Sequence, residues 1–378
     1  MRTKAAVLYQ MEQPSPYAES KPLVIEELEL TGPGPGEVLV EIVGAGLCHS
    51  DLSVIDGSRP RVMPMVMGHK ASGIVREVGP GVRDLALDDH VVFSFVPVCG
   101  HCLPCATGRP ALCENGALAN VSGTLLSGQR RFQNQQGQAV HHHLGVSAFS
   151  QFTVAAQESL VKIDPTLPLE GGALFGCAVM TGVGAVVNTA HVEPGTSVAV
   201  FGLGGVGLST VMGARVAGAY PIVAVDVLAS KLNLARQVGA THTVNAKDDD
   251  PVQAIKDLTR GGAHYAFESV GSERVLIQTY QATRRGGTTV TIGLPHPSQQ
   301  FAISAVSLVA EERTVKGSYM GSAVPRRDIP RFIALYQAGL LPVNLLLSHI
   351  IHLDDINPAF DALAKGDAVR QVVKMTQA

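Results

Sequence analysis

Apolar positions in the first third of the chain fall into short β-prone runs: KAAVLYQ, LVIEELEL, EVLVEIVGAGLC and SGIVREVG. Gly/Pro turns such as TGPGPGE separate them. Residues 99–145 carry little periodicity and read as loop, and the polar stretch GQRRFQNQQGQ within them is expected to be exposed. From about residue 170 the texture changes. Ser197 to Phe201 reads as a strand, Gly205 to Ala217 as a helix, Ile222 to Val225 as a strand and KLNLARQVG as a helix. HYAFESVG and TTVTIG add strands with helical segments between them. This alternation predicts an α/β unit with a doubly wound parallel sheet. The tail gives a helix in DINPAFDALAKGDA and a strand in RQVVKM that returns to the first domain. DDD at 248–250 reads as a solvated loop.

Two uncharged runs, Gly171 to Ala190 and Pro194 to Ala214, are long enough to raise a membrane span. Glycines, threonines or asparagine interrupt both, so they read as buried strand and helix segments. The N-terminus MRTKAAVLYQMEQ has no apolar core of signal-peptide length. The expectation is a cytoplasmic protein with no membrane partner. A length of 378 residues favours two domains. The net charge of −3 excludes nucleic-acid or membrane-surface binding that rests on bulk charge.

After the strand SVAVF comes GLGGVG, residues 202–207, opening a helix. Asp226 ends the next strand, 19 residues after Gly207. In that context G-x-G-x-x-G is a dinucleotide fingerprint. Gly202 makes the turn. Gly204, with Gly205 and Val206, opens the helix that receives a pyrophosphate, and Gly207 permits close packing. Asp226 accepts from ribose hydroxyls and repels a 2′-phosphate, so the expected cofactor is NAD rather than NADP.

Five of the six cysteines precede residue 114. Cys99, Cys102, Cys105 and Cys113 form C-x2-C-x2-C-x7-C, which matches a closed tetrahedral structural zinc site. An iron–sulfur cluster is the rival, but the ferredoxin run has a different last spacing. Cys48 and Cys177 are either small buried hydrophobes or, with His69, a Cys2His zinc site with an open fourth position. Spacing alone leaves this open.

Taken in order, GAGLCHSD, MGHKASG, CGHCLPC, FGCAVMTG, FGLGGVGLS and VAVDVLASK resemble the motifs of the zinc-dependent alcohol dehydrogenases of the medium-chain dehydrogenase/reductase superfamily. The likeness runs over almost the whole chain. It implies a GroES-like β-rich catalytic domain from residues 1–178 and 322–378, around a Rossmann NAD-binding domain from 179–321. It implies two zinc ions per subunit, the catalytic one on Cys48, His69 and Cys177. That zinc acts as a Lewis acid on the alcohol oxygen, and the alkoxide gives a hydride to NAD. Ser50 then takes the alcohol proton and Asp51 orients His69. Thr181 and the backbone at Ile292 to Leu294 resemble nicotinamide contacts. Lys231 joins Asp226 at the ribose, and His49 and Arg370 meet the pyrophosphate. Phe95, Leu118, His143, Leu144 and Arg59 fall at substrate-channel positions. The triple histidine 141–143 is either a further metal site or, on the family reading, loop and pocket wall. The long loop after Cys113 favours a homodimer over a homotetramer.

Two residues depart from the pattern. Ser53 stands where relatives with a full proton relay have histidine. Lys70 stands where the family usually has glutamate; it either perturbs the catalytic site or snorkels to solvent. The activity implied is reversible oxidation of a primary or aromatic alcohol to its aldehyde. One alternative is glutathione-dependent formaldehyde dehydrogenase, although ENGALANVSG lacks the anion-binding arginine expected after Cys113. The other is an NAD-binding protein impaired by Lys70.

Overall fold

A computed structural model describes residues 1–366 and 369–375. The chain divides into two compact units. One comprises Met1–Cys177, Val324–Pro330 and Leu347–Ala378; the other comprises Ala178–Ala323 and Arg331–Leu346.

Among its described residues, the first unit is built on β-structure, as the alternating runs predict. The strands Arg2–Leu8, Leu23–Leu30, Phe132–Gln133, Ala139–His142 and Met65–Val66 close a small barrel. A second sheet runs through Leu160–Lys162, His90–Phe93, Ala71–Val78, Glu37–Gly46, Gln371–Lys374 and His349–Ile351, with Phe152–Ala156 also paired to Glu37–Gly46. The tail strand is antiparallel to Glu37–Gly46, Val373 opposite Ala45. Its helix, Ile356–Lys365, buries Ile356, Phe360 and Leu363 in the same apolar cluster as Val40 and Ile42.

The second unit holds six parallel strands in the order His242–Asn245, Ile222–Asp226, Val198–Phe201, Ala263–Glu268, Thr283–Thr291 and Thr314–Gly317. The order reverses beside Val198–Phe201, the first strand. Dinucleotides bind at such switch points, outside the carboxyl ends of the strands. The chain is therefore α/β, a GroES-like β-rich part with a Rossmann sheet.

Three local readings change. Residues 99–145 are not simply loop: they hold the helices Leu103–Ala106 and Glu114–Ser122 and two barrel strands. ENGALANVS is mostly small and polar, so its apolar stripe is too thin to register as periodic. The GQRRFQNQQGQ stretch is not exposed throughout, because Phe132 and Asn134 are buried. Gly171 to Ala190 contains no strand; it is helical except for a turn at Ala173 and Leu174, and 83% of its most apolar window is buried inside the protein. Asp248 to Asp250 are exposed as expected, and Asp250 also caps the helix Pro251–Thr259.

Candidate functional site

Three backbone devices bring the first unit's chemistry together. The strand Glu37–Gly46 runs into Cys48, the N-cap of the helix His49–Ile55, whose first turn carries Ser50 and Asp51. An acidic residue there is favoured by the helix dipole. Gly68 turns the chain into His69 and Lys70 with φ +91°, and a Cβ there would lie 2.7 Å from the Phe149 nitrogen. Only glycine fits that turn. Cys177 sits in a π-helical turn, Phe175–Val179. Gly176 lets this turn press on the strand His90–Phe93, since a Cβ would lie 2.1 Å from the Phe93 carbonyl oxygen.

Cys48, His69 and Cys177 are buried and lie within side-chain hydrogen-bonding reach of one another. Cys177 shares its proton with Cys48, which holds the Cys48 thiol well below its ordinary value; burial opposes this and the charge of Lys70 assists. The same interaction raises Cys177 to about 11. Burial alone would lower His69, but the Asp51 carboxylate outweighs it and raises the imidazole well above its usual range. His69 Nδ1 lies 2.8 Å from Asp51 Oδ1. That is a hydrogen-bond distance, so Asp51 orients the ring and leaves Nε2 to the thiols. The donor set, two thiols and an oriented imidazole, fits a zinc ion with an open position.

Four of the expected neighbours are close by. Phe95 packs edge-on against the His69 ring, centroids 5.5 Å apart. Ser50 Oγ lies 3.7 Å from Cys48 Sγ. His143 is 1% exposed, and its Nδ1 stands 3.3 Å from the same Asp51 oxygen that faces His69. Arg370 is buried, its Nε is unpartnered among the described residues, and its charge acts on Cys48. Leu144 is also buried in this unit; Arg59 is half-buried and His49 exposed. Leu118, by contrast, is 67% exposed on the helix Glu114–Ser122. The Ser53 hydroxyl donates to the His49 carbonyl within its helix (2.9 Å).

Lys70 does not snorkel. Its side chain is fully buried and, among the described residues, its Nζ has no hydrogen-bond partner. The triple histidine splits three ways. His141 packs by Gly123, His142 Nε2 accepts from the Arg131 N–H (3.2 Å), and His143 faces Asp51.

Cys99, Cys102, Cys105 and Cys113 converge, all four sulfurs within 4.8 Å of one another. The Cys99–Cys105 and Cys102–Cys113 separations are 4.0 and 3.9 Å. A tetrahedron with zinc–sulfur bonds of about 2.3 Å has edges of about 3.8 Å, so the cluster fits zinc. Backbone N–H groups of Cys102 and Gly116 donate to Cys99 and Cys113 sulfur. Such bonds favour thiolates.

In the second unit, Gly207 lies so close to the Gly202 carbonyl that a Cβ would sit 1.8 Å from it. Gly204 is exposed, with nothing within 4 Å of a Cβ, and caps the helix Gly205–Val216 without a side-chain bond. Open space in front of an uncapped helix start suits a pyrophosphate. Asp226 Oδ2 accepts from the Leu203 N–H (2.7 Å) and Oδ1 from Val227 (2.8 Å) and Leu228 (3.0 Å). The carboxylate is thereby fixed at the end of its strand. Lys231 follows on the helix Ala229–Val238, half-buried. Thr181 is buried on Met180–Gly184. Ile292 is buried and Leu294 is 53% exposed beyond the strand Thr283–Thr291.

Comparison with known proteins agrees with this chemistry. A family model for the alcohol dehydrogenase GroES-like domain matches residues 34–165, and one for zinc-binding dehydrogenases matches 205–338. An S-(hydroxymethyl)glutathione dehydrogenase of Synechocystis sp. is 39% identical over 99% of this chain and 100% of its own. The chain belongs to the zinc-dependent alcohol dehydrogenases of the medium-chain dehydrogenase/reductase superfamily. Alcohol dehydrogenase 1 of Pisum sativum is another such relative, 37% identical over 94% of this chain and 95% of its own. The crystal structure of benzyl alcohol dehydrogenase from Acinetobacter calcoaceticus superposes over the full length of both chains with a TM-score of 0.92 at 34% identity. As a member of this family the chain is an oxidoreductase that uses zinc and NAD.

Sequence reading assigned His143 to the channel but missed its approach to Asp51. No spacing signal joins residues 51 and 143; the run of three histidines was the only hint.

Proposed function

We propose that the enzyme interconverts a primary or aromatic alcohol and its aldehyde with NAD. The observation that carries this reading is the convergence of Cys48, His69 and Cys177, with Asp51 on the far nitrogen of His69. Zinc held there supplies Lewis-acid polarisation of the alcohol oxygen. Asp51 fixes the imidazole tautomer. Ser50, beside Cys48 and half-buried, accepts the alcohol proton while passing its own hydroxyl proton on. Ser53 is not the relay's final acceptor, because a serine cannot hold an extra proton at neutral pH and its hydroxyl already donates to the His49 carbonyl. The proton therefore leaves through water. Phe95, on the His69 ring, forms an apolar wall and favours an apolar or aromatic substrate. On this reading residues 1–178 and 322–378 form the catalytic domain and 179–321 the NAD-binding domain. His49 and Arg370 meet the pyrophosphate; Thr181, Ile292 and Leu294 meet the nicotinamide.

The same reading makes the protein a cytoplasmic homodimer. All six cysteines are free thiols, which suits a reducing compartment. The edge strand Thr314–Gly317 is largely exposed, and Val306 and Val309, on the helix Ala305–Ala310 that precedes it in the chain, are 71% and 79% exposed. An open strand edge beside apolar surface suits a second copy.

A second reading, oxidation of S-(hydroxymethyl)glutathione, is favoured by the 39% identity to the Synechocystis enzyme. Residues 114–123 carry no arginine for the glutathione carboxylates, which weighs against it. NADH formation from benzyl alcohol, ethanol, and formaldehyde with and without glutathione separates the two, read together with zinc per chain. Turnover of benzyl alcohol with two zinc ions per chain is the expected result. Turnover only with formaldehyde plus glutathione would overturn the first reading, and one zinc with no turnover would overturn both.

A further inference from the structure

We propose that Glu268 is a positioning residue for the nicotinamide end of NAD, setting the backbone of residues 292–294 through a buried carboxylate clamp. This rests on reading that stretch as the nicotinamide contact. Glu268 ends the strand Ala263–Glu268 and is 1% exposed. Its Oε1 accepts from the backbone N–H groups of Val270 (2.7 Å) and Gly271 (2.6 Å). Its Oε2 accepts from the hydroxyl of Thr291 (3.1 Å), the residue opposite it at the end of the neighbouring strand Thr283–Thr291. Its backbone carbonyl accepts from the N–H groups of Ile292 (2.8 Å) and Gly293 (3.1 Å). One residue therefore holds the loops that leave the carboxyl ends of two adjacent strands.

The two loops meet with no room for side chains between them. A Cβ on Gly293 would lie 2.2 Å from the Gly271 nitrogen and 2.9 Å from Glu268 Oε2. One on Gly271, whose φ is +83°, would lie 2.9 Å from the Leu294 carbonyl oxygen. Backbone packed this closely moves as a piece, so the carboxylate at its centre decides where residues 292–294 stand. Burial raises the Glu268 carboxyl pKa, and the Gly271, Thr291 and Val270 donors oppose that rise. The group is tolerated inside because both its oxygens have donors. The glycine fingerprint has a tether of its own. Ser269 Oγ donates a shared hydrogen bond to the carbonyls of Phe201 (3.1 Å) and Gly202 (2.9 Å). The Glu268 clamp can therefore be loosened without untying the Gly202 turn.

The test is calorimetric binding of NADH and of ADP-ribose, which lacks the nicotinamide, to the zinc-replete enzyme. Wild type should bind NADH more tightly than ADP-ribose. Glu268→Ala should weaken NADH about tenfold or more, the scale of losing hydrogen bonds to a charged group, and change ADP-ribose by less than about threefold. Glu268→Gln should keep wild-type affinity for both, because its amide oxygen can accept from the two N–H groups and its NH2 can donate to the Thr291 hydroxyl. Thr291→Val removes one strap of the clamp and should weaken NADH about threefold, with ADP-ribose unchanged. Equal loss of both ligands in Glu268→Ala marks a merely structural role and overturns the proposal, as does unchanged NADH affinity. A Glu268→Gln enzyme as weak as Glu268→Ala also overturns it, since the bonds would then not be what positions the stretch. If Glu268→Ala does not fold, Thr291→Val decides by the same comparison: selective loss of NADH supports the clamp and any other pattern overturns it. Those results leave the nicotinamide reading of residues 292–294 standing, whereas wild-type NADH no tighter than ADP-ribose overturns that reading and the clamp together.

Discussion

Asp51 Oδ1 lies 2.8 Å from His69 Nδ1, and both side chains are buried. The carboxylate therefore decides which imidazole nitrogen faces the thiols. Replacing Asp51 with Asn keeps the shape but removes the charge. Zinc at the Cys48 site should bind about 10–100-fold more weakly, the usual cost of losing such a partner. Metal-competition titration checks this; the second zinc per chain should bind as in wild type.

Cys113 is fully buried, and its sulfur accepts from the backbone N–H groups of Cys99 (3.4 Å) and Gly116 (3.3 Å). Cys113→Ala should remove one zinc per chain and leave the zinc on Cys48, His69 and Cys177 in place. Because that zinc cross-links a segment with little apolar core, the unfolding midpoint should fall, by about 2–4 °C for each kcal/mol lost. Metal analysis paired with thermal unfolding reads both effects.

Asp226 is held by three backbone N–H groups, so its charge is fixed where a ribose would lie. Asp226→Asn should raise the KM for NAD about tenfold or more, as expected for losing hydrogen bonds to a charged group. It should also raise kcat/KM for NADP by relieving repulsion. Steady-state kinetics with both cofactors gives the ratio, and an unchanged preference would show that Asp226 does not select.

His142 is buried against Phe132, and burial pushes its pKa down to about 3, with the Arg131 charge adding to the effect. The folded state thus takes up this proton far less readily than an unfolded chain, where histidine titrates near about 6.5. Above that pH both states are neutral and the group has no effect. As pH falls from about 6.5 toward 3, the unfolded state gains a proton that the folded state refuses. Stability is then lost at about 1.4 kcal/mol per pH unit. His142→Gln should flatten this part of the stability–pH curve, as measured by urea unfolding between pH 7 and about pH 5.

Val306→Glu combined with Val309→Glu places charge on the apolar surface near the exposed edge strand. If that edge joins two copies, sedimentation velocity should report a monomer for the variant and a dimer for wild type. Equal sedimentation of the two would refute the proposed edge.

Much of this was legible beforehand because the signals are local. The glycine fingerprint, the four-cysteine loop and the alternating strands each sit within a short window, where spacing reports geometry directly. Cys48 and Cys177 are distant in sequence, so only the family likeness joined them before the fold was known. The helix Glu114–Ser122 was missed because alanine, glycine and asparagine give it almost no apolar stripe. For Lys70 residue type alone leaves a perturbed catalytic site and snorkelling to solvent both open; its burial, with its stem against Gly46, shows only in the fold.

The tail strand has a consequence for how the protein is made. Gln371–Lys374 lies between Glu37–Gly46 and His349–Ile351, inside the sheet rather than at its rim. During translation the early strands must wait, with a gap in their ladder, until residues 371–374 have been synthesised. The six parallel strands of the other unit, contiguous from Val198 to Gly317, meet no such delay. On the ribosome the nucleotide-binding half can mature first, and the metal-binding half is completed only once residues 371–374 have emerged.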